Sequence, residues 1–130
     1  DDLNLFIQKS NFHSGILNIT SLHTSCSLTI NENADPNVLK DLKTFMKSIV
    51  PFNCYNSLSQ DRKQIYYEHF QEGEDDMPAH IKTALTNTNL SLSFQKGKII
   101  LGNWQAIYLW EHRCSTKKRS LSIHIIGEKS

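Results

Sequence analysis

Between Asp35 and Pro51 the sequence leaves room for one amphipathic helix and little else, and that element constrains the fold most. Asp35 is a good N-cap, because its carboxylate can accept from an orphan backbone N–H. Pro36 suits the first helical position, where its missing donor costs nothing. Val38, Leu39, Leu42, Phe45, Met46 and Ile49 make one apolar stripe, with Lys40, Asp41, Lys43 and Lys47 predicted to face out. Burying six such side chains contributes on the order of 10 kcal/mol gross, before entropy. Pro51 ends the helix.

Extended segments flank it. Leu3, Phe6 and Ile7 fall at i, i+3, i+4 and predict a short helix ending before Ser14-Gly15. From Ile16 the pattern alternates, with Leu17, Ile19, Ser21 and His23 on one face. Thr24-Ser25-Cys26 reads as a bulge within one long strand that continues to Asn31. Phe52 to Lys63 reads as a polar surface loop. A second helix is predicted near Asp76, with Pro78 in its first turn. Leu90-Leu92-Phe94, Ile99 to Leu101, Gln105 to His112 and Leu121-Ile123-Ile125 read as an antiparallel meander. This order implies an α+β chain, one domain over residues 1–130, with a mostly antiparallel sheet and two main helices.

Charge excludes one class of partner. Fourteen basic residues against 13 acidic ones give a net charge of +1, where a generic nucleic-acid binder carries a strong positive excess. The basic run Lys117-Lys118-Arg119 lacks interleaved aromatics and reads as a solvated hairpin. Cys26, Cys54 and Cys114 form no C-x-x-C pair, so the expected setting is reduced and cytoplasmic. No apolar run approaches the roughly 18 residues of a membrane span, and no membrane partner is expected. Apolar residues make up only 38% of the chain, which suggests a core completed by other subunits. The chain opens on Asp1, without Met and already near an amphipathic segment, so a preceding native stretch is expected.

Four of six histidines lie in three polar clusters. Such groups are costly in a packed interior unless paired, and their concentration near element ends suits a pocket. His23 ends a strand face and is followed by Thr24 and Ser25, whose hydroxyls suit an anion such as phosphate. Asp75, Asp76, His80 and Lys82 follow an acidic turn. His80 in the first helical turn would meet the positive end of the helix dipole, which favours the neutral imidazole that binds a metal or accepts a proton. Glu111 and Arg113 project to one side of a strand end and His112 to the other. P-loop, dinucleotide-binding and esterase-elbow motifs are absent.

Three blocks, His23-Thr-Ser-Cys-Ser-Leu-Thr-Ile-Asn-Glu-Asn-Ala-Asp-Pro36, Glu72-Gly-Glu-Asp-Asp-Met-Pro-Ala-His-Ile-Lys82 and Gly102-Asn-Trp-Gln-Ala-Ile-Tyr-Leu-Trp-Glu-His-Arg113, together resemble the YjbQ-like family. Bacterial members are often called secondary thiamine-phosphate synthases. The resemblance implies about seven strands in two sheets, a homotrimer, and one or two strands preceding Asp1. It matches the family's histidines to His23, His69, His80 and His112, and its acidic pair to Asp75 and Asp76. Asn103 stands where the family has Thr, and the Asn53–Lys63 loop looks longer than usual.

Residues and resemblance together predict an enzyme, or an enzyme-like protein, that binds a phosphorylated small molecule. A divalent metal, zinc or magnesium, would sit at His23, His80 and His112. Asp75, Asp76 and Glu111 would supply acid–base or orienting carboxylates. Thr24, Ser25, Lys82 and Arg113 would hold the anion. The implied activity is that of a thiamine-phosphate synthase-like transferase; the rival is a non-catalytic metal- or anion-binding protein.

Overall fold

The computed structural model describes residues 2–129. In chain order the elements are α1 (Asp2–Ser10), β1 (Ser14–Ser21), β2 (Cys26–Glu32), α2 (Pro36–Ile49), β3 (Cys54–Asn56), β4 (Gln64–Tyr66), α3 (Asp76–Leu85), β5 (Asn89–Gln95), β6 (Lys98–Ile99), β7 (Gln105–Glu111) and β8 (Leu121–Glu128). The fold is α+β, with antiparallel sheets throughout. Among the described residues, no helix is long and apolar enough to cross a membrane. The strands expected before Asp1 lie outside the described residues.

A four-stranded sheet in the order β6-β5-β1-β8 forms the scaffold. Its central strand β1 sets Leu17 opposite both Leu92 and Ile125, and Ile19 opposite Leu90 and Ile123. One face therefore carries period-two apolar residues from three strands. Ile7 of α1 and Leu28 of β2 join Leu17, Ile19, Leu92 and Phe94 in the buried core. At the far end of β1 two backbones close in: a Cβ on Gly15 would lie 2.1 Å from the carbonyl oxygen of Ile126.

The β1–β2 segment breaks rather than bulges. β2 leaves the large sheet and pairs with β7 alone. The break turns Thr24 and Ser25 so that their carbonyls accept side-chain hydrogen bonds from His80 and Arg119. Nor is the C-terminal part a meander, because β7 pairs with β2 while β8 returns to β1. The Phe52–Lys63 stretch holds β3 and, with β4, a separate hairpin.

α2 begins and ends where the sequence places it: the Asp35 carboxylate accepts from Asn37 N at 2.9 Å, and Val50 N closes the last turn on Met46 O. Its stripe, however, is not buried. Met46 is buried, while Leu39, Phe45 and Ile49 are exposed, because the helix lies beside β7 instead of on the large sheet.

Candidate functional site

Two consecutive aspartates open α3, and neither caps it. Gly73, at φ 112°, turns the chain into the helix. Asp75 stands at the N-cap position without a capping bond. Its carboxylate instead accepts from Arg113 Nε at 3.0 Å and from the backbone N–H of Cys114 at 2.7 Å. The Arg113 hydrogen bond, then that of Cys114, holds the Asp75 carboxyl down to about 2. A residue type that ordinarily saturates a helix terminus is thus diverted to a tertiary ion pair.

Asp76 is buried, and its two oxygens divide the work. Oδ1 accepts from Arg113 Nη1 at 2.8 Å. Oδ2 faces His69 Nε2 at 2.6 Å and His80 Nε2 at 3.1 Å. Burial opposes its ionisation, but the His69 hydrogen bond and the charges of His80 and Arg113 outweigh that and hold its carboxyl below the usual range. Four of the five Arg113 N–H groups are occupied, the last by Glu72 O.

Geometry also fixes how His80 can be protonated. Its Nδ1 lies 2.9 Å from the carbonyl oxygen of Thr24, which can only accept. Nδ1 therefore carries a proton, and in the neutral ring Nε2 presents a lone pair toward Asp76 and His69. A carboxylate and a lone pair face each other across 3.1 Å, an arrangement relieved by a proton on Nε2 or by a cation between them. Glu72 Oε2 lies 3.4 Å from His69 Nε2. Ligand atoms of His69, Glu72, Asp76 and His80 all fall within 4.8 Å of one another.

The donor set fits a divalent metal. Two imidazoles with carboxylate oxygens suit zinc or a similar transition ion better than magnesium, which favours all-oxygen surroundings. Tetrahedral zinc holds its donor atoms roughly 3.3 Å apart; three pairs here stand at 2.6, 3.1 and 3.4 Å, and the whole set falls within 4.8 Å, so small side-chain shifts would complete it. The Thr24 carbonyl orients His80 as metal-bound histidines are ordinarily oriented.

The three-histidine set expected from the sequence is not assembled within the chain. His23 Nε2 accepts the backbone N–H of Ser120 at 2.7 Å, so its lone pair is spent. His112 points inward, with Nε2 2.8 Å from Ser27 Oγ. Thr86 Oγ1 donates to Lys82 O at 2.6 Å, so Ser27 must donate to Thr86 and accept from His112 Nε2–H. Burial pushes the His112 imidazole down to about 4, leaving Nδ1 with a lone pair at neutral pH. Glu111 is paired with Arg119, which also donates to Ser25 O at 3.1 Å. Lys117 and Lys118 are exposed as expected of a solvated run, whereas the Arg119 side chain is buried. Lys82 lies on another face of α3, and Thr24 serves through its carbonyl rather than its hydroxyl.

His69 and Glu72 join the donor set beyond the residues that the sequence alone assigns to the metal, and their spacing is the signal for them. Asp76 and His80 stand at i, i+4 on one helix face, and His69 and Glu72 at i, i+3 in the turn before it.

Fold and site together define an α+β protein with a polar His–Asp–Glu centre at a helix start. The chain belongs to the family described as UPF0047 protein YjbQ-like, whose model matches residues 1–128. It is 42% identical over 122 residues to UPF0047 protein sll1880 of Synechocystis sp., covering 94% of this chain and 76% of that protein. It is 40% identical over 126 residues to UPF0047 protein YjbQ of Escherichia coli O157:H7, covering 97% and 83%. Among solved structures, an uncharacterized YjbQ/UPF0047 family protein of Clostridium acetobutylicum superposes with a TM-score of 0.75 at 28% identity, covering 95% and 84%. A hypothetical protein of Aeropyrum pernix shares the fold with a TM-score of 0.78 at 18% identity.

Proposed function

We propose that this protein is a metal-dependent enzyme acting on a phosphorylated small molecule, with the cation held by His69, Asp76 and His80 and by Glu72 as a fourth donor. The observation that carries the reading is the Thr24 carbonyl on His80 Nδ1, which aims the Nε2 lone pair at a carboxylate already flanked by a second imidazole. A bound divalent ion supplies Lewis acidity and stabilises charge on a phosphate leaving group. Arg113 keeps Asp76 ionised and fixed in place.

The finer reading, taken from the family resemblance, is a transferase that makes thiamine phosphate. The thiazole nitrogen attacks the methylene carbon of the pyrimidine diphosphate. The carbon–oxygen bond breaks, and pyrophosphate leaves with the electron pair. A homotrimer would cover Phe45 and Leu109, both exposed in the single chain. Free Cys26, Cys54 and Cys114 suit a reducing, cytoplasmic setting.

One observation favours the non-catalytic rival: Asp75 and Glu111 are tied in ion pairs, which leaves Glu72 as the exposed carboxylate beside the imidazoles. Elemental mass spectrometry of the purified protein and of His80→Ala, with pyrophosphate release assayed on both, tests the readings. About one metal per chain, lost with turnover in the variant, is the expected result. Metal without turnover favours the binding protein, and a metal-free native protein defeats the metal site and leaves an anion-binding protein.

A further inference from the structure

A cavity of about 500 Å³ opens between α2 and β7, and none of His69, Glu72, Asp76 or His80 lines it. Lys43 and Lys47 reach it from α2 and Lys82 from α3. Among the described residues, none of these three ammonium groups lies within salt-bridge distance of a carboxylate. They are close enough to feel one another: burial, with the charges of Lys43 and Lys47, pulls Lys82 below the usual lysine range, against the opposing pull of Cys114 and Asp75. Glu111 also lines the cavity but is paired with Arg119, so three like charges share the space with no carboxylate bonded to them, an unfavourable arrangement that a dianion relieves.

The remaining walls specify the rest of the ligand. Leu39, Leu42, Met46 and Trp110 give the cavity an apolar side. His112, 6% exposed, also lines it, and its ring packs tilted at 50° against that of Trp110, centroids 5.0 Å apart. Proton accounting through Ser27 and Thr86 leaves a lone pair on His112 Nδ1, for which the described residues offer no donor. Among the described residues no fully buried side-chain nitrogen or oxygen lacks a partner, so this lone pair is open to the cavity, where a ligand can meet it. Arg113 also lines the cavity, but its guanidinium is committed to Asp75 and Asp76, so it forms a fixed wall between this cavity and the His69–His80 centre.

We propose that the α2–β7 cavity binds a small phosphate monoester with an aromatic or apolar body, its phosphate held by Lys43, Lys47 and Lys82. The apolar body packs against Trp110 and Met46, and a donor group on the ligand meets His112 Nδ1. This deepens the functional reading above by giving its phosphorylated ligand a seat, and it does not require the metal.

The test is calorimetric titration of the full chain with 1-naphthyl phosphate, alongside 1-naphthol and inorganic phosphate. Saturable binding is expected at one site per chain, tighter than for either fragment. The Lys43→Gln/Lys47→Gln double variant, altered only at exposed positions of α2, should weaken it about tenfold or more. Binding should survive exhaustive treatment with EDTA, which separates this cavity from the metal reading. Three results overturn the proposal: no saturable binding, binding indifferent to the lysines, or binding lost on chelation. If sedimentation shows that the double variant breaks a self-association while the probe never binds, the face belongs to a second copy and the proposal falls.

Discussion

Thr24 and His80 meet through a backbone carbonyl and a ring nitrogen 2.9 Å apart, and that bond decides which nitrogen of His80 faces the acidic centre. Protons and metal ions must then compete for the same Nε2. Metal affinity should therefore fall as pH falls, with protons released on loading. Zinc titrations monitored by calorimetry in buffers of different ionisation enthalpy measure that release. Proton release that does not grow as pH is lowered would remove His80 from the ligand set.

Asp76 supports Arg113, His69 and His80 at once. Asp76→Asn should abolish metal loading and, by removing a buried charge from the Arg113 and histidine network while Asp75 still pairs Arg113, cost about 1–3 kcal/mol in urea unfolding. Glu72→Gln, at an exposed side chain, should weaken loading with little change in stability. Equal stability losses in the two variants would contradict the division of roles.

His112 makes stability depend on pH in a defined direction. Its folded value of about 4 lies below the ordinary 6.5, so the unfolded chain takes up a proton first. Its contribution is whole above pH 6.5 and is lost progressively as pH falls toward 4, to a total of about 3 kcal/mol. His112→Gln, whose amide can still donate to Ser27, should flatten the stability curve across that window. Urea midpoints at pH 7, 5.5 and 4.5 decide it, and an unchanged slope would show that His112 does not drive the loss.

Asp75 acts in the same direction, but at lower pH. Its carboxyl, held at about 2 chiefly by Arg113, adds stability above its ordinary value of 3.8 that disappears as pH drops through 2. With solvent screening the contribution is about 1 kcal/mol. Asp75→Asn should be less stable than the parent at pH 7 and indistinguishable from it near pH 2. Thermal melts at both values give the comparison.

Gly15 and Gly127 face each other across β1 and β8. A Cβ on Gly127 would lie 2.6 Å from the carbonyl oxygen of Ser14, so backbone must move to admit it. Gly15→Ala and Gly127→Ala should each cost about 1–3 kcal/mol. Losses measured together should fall short of additivity, because the first substitution already parts the strands.

The elements legible in the sequence were those set by local chemistry. Asp35-Pro36 and Pro51 bounded α2 because capping and proline sterics act within a few residues. Apolar alternation likewise marked β1 and β5. What failed were choices made between distant segments. The Thr24-Ser25 break exists because β2 finds β7 rather than β5, and no local pattern records that pairing. His112 looked like a ligand because strand period alone gives its face, whereas Ser27, 85 positions away, fixes what it bonds.

β1 stands between β5 and β8, and its partner on one side is the last strand of the described chain. During synthesis on a ribosome the central strand therefore waits, with Ile16 through Thr20 unpaired along one edge, until Leu121–Glu128 has emerged. Pairings this distant in sequence are slow to form. A waiting apolar strand is also a template for a neighbouring nascent chain. Premature termination anywhere before Leu121 should therefore yield a product that aggregates rather than a smaller folded unit.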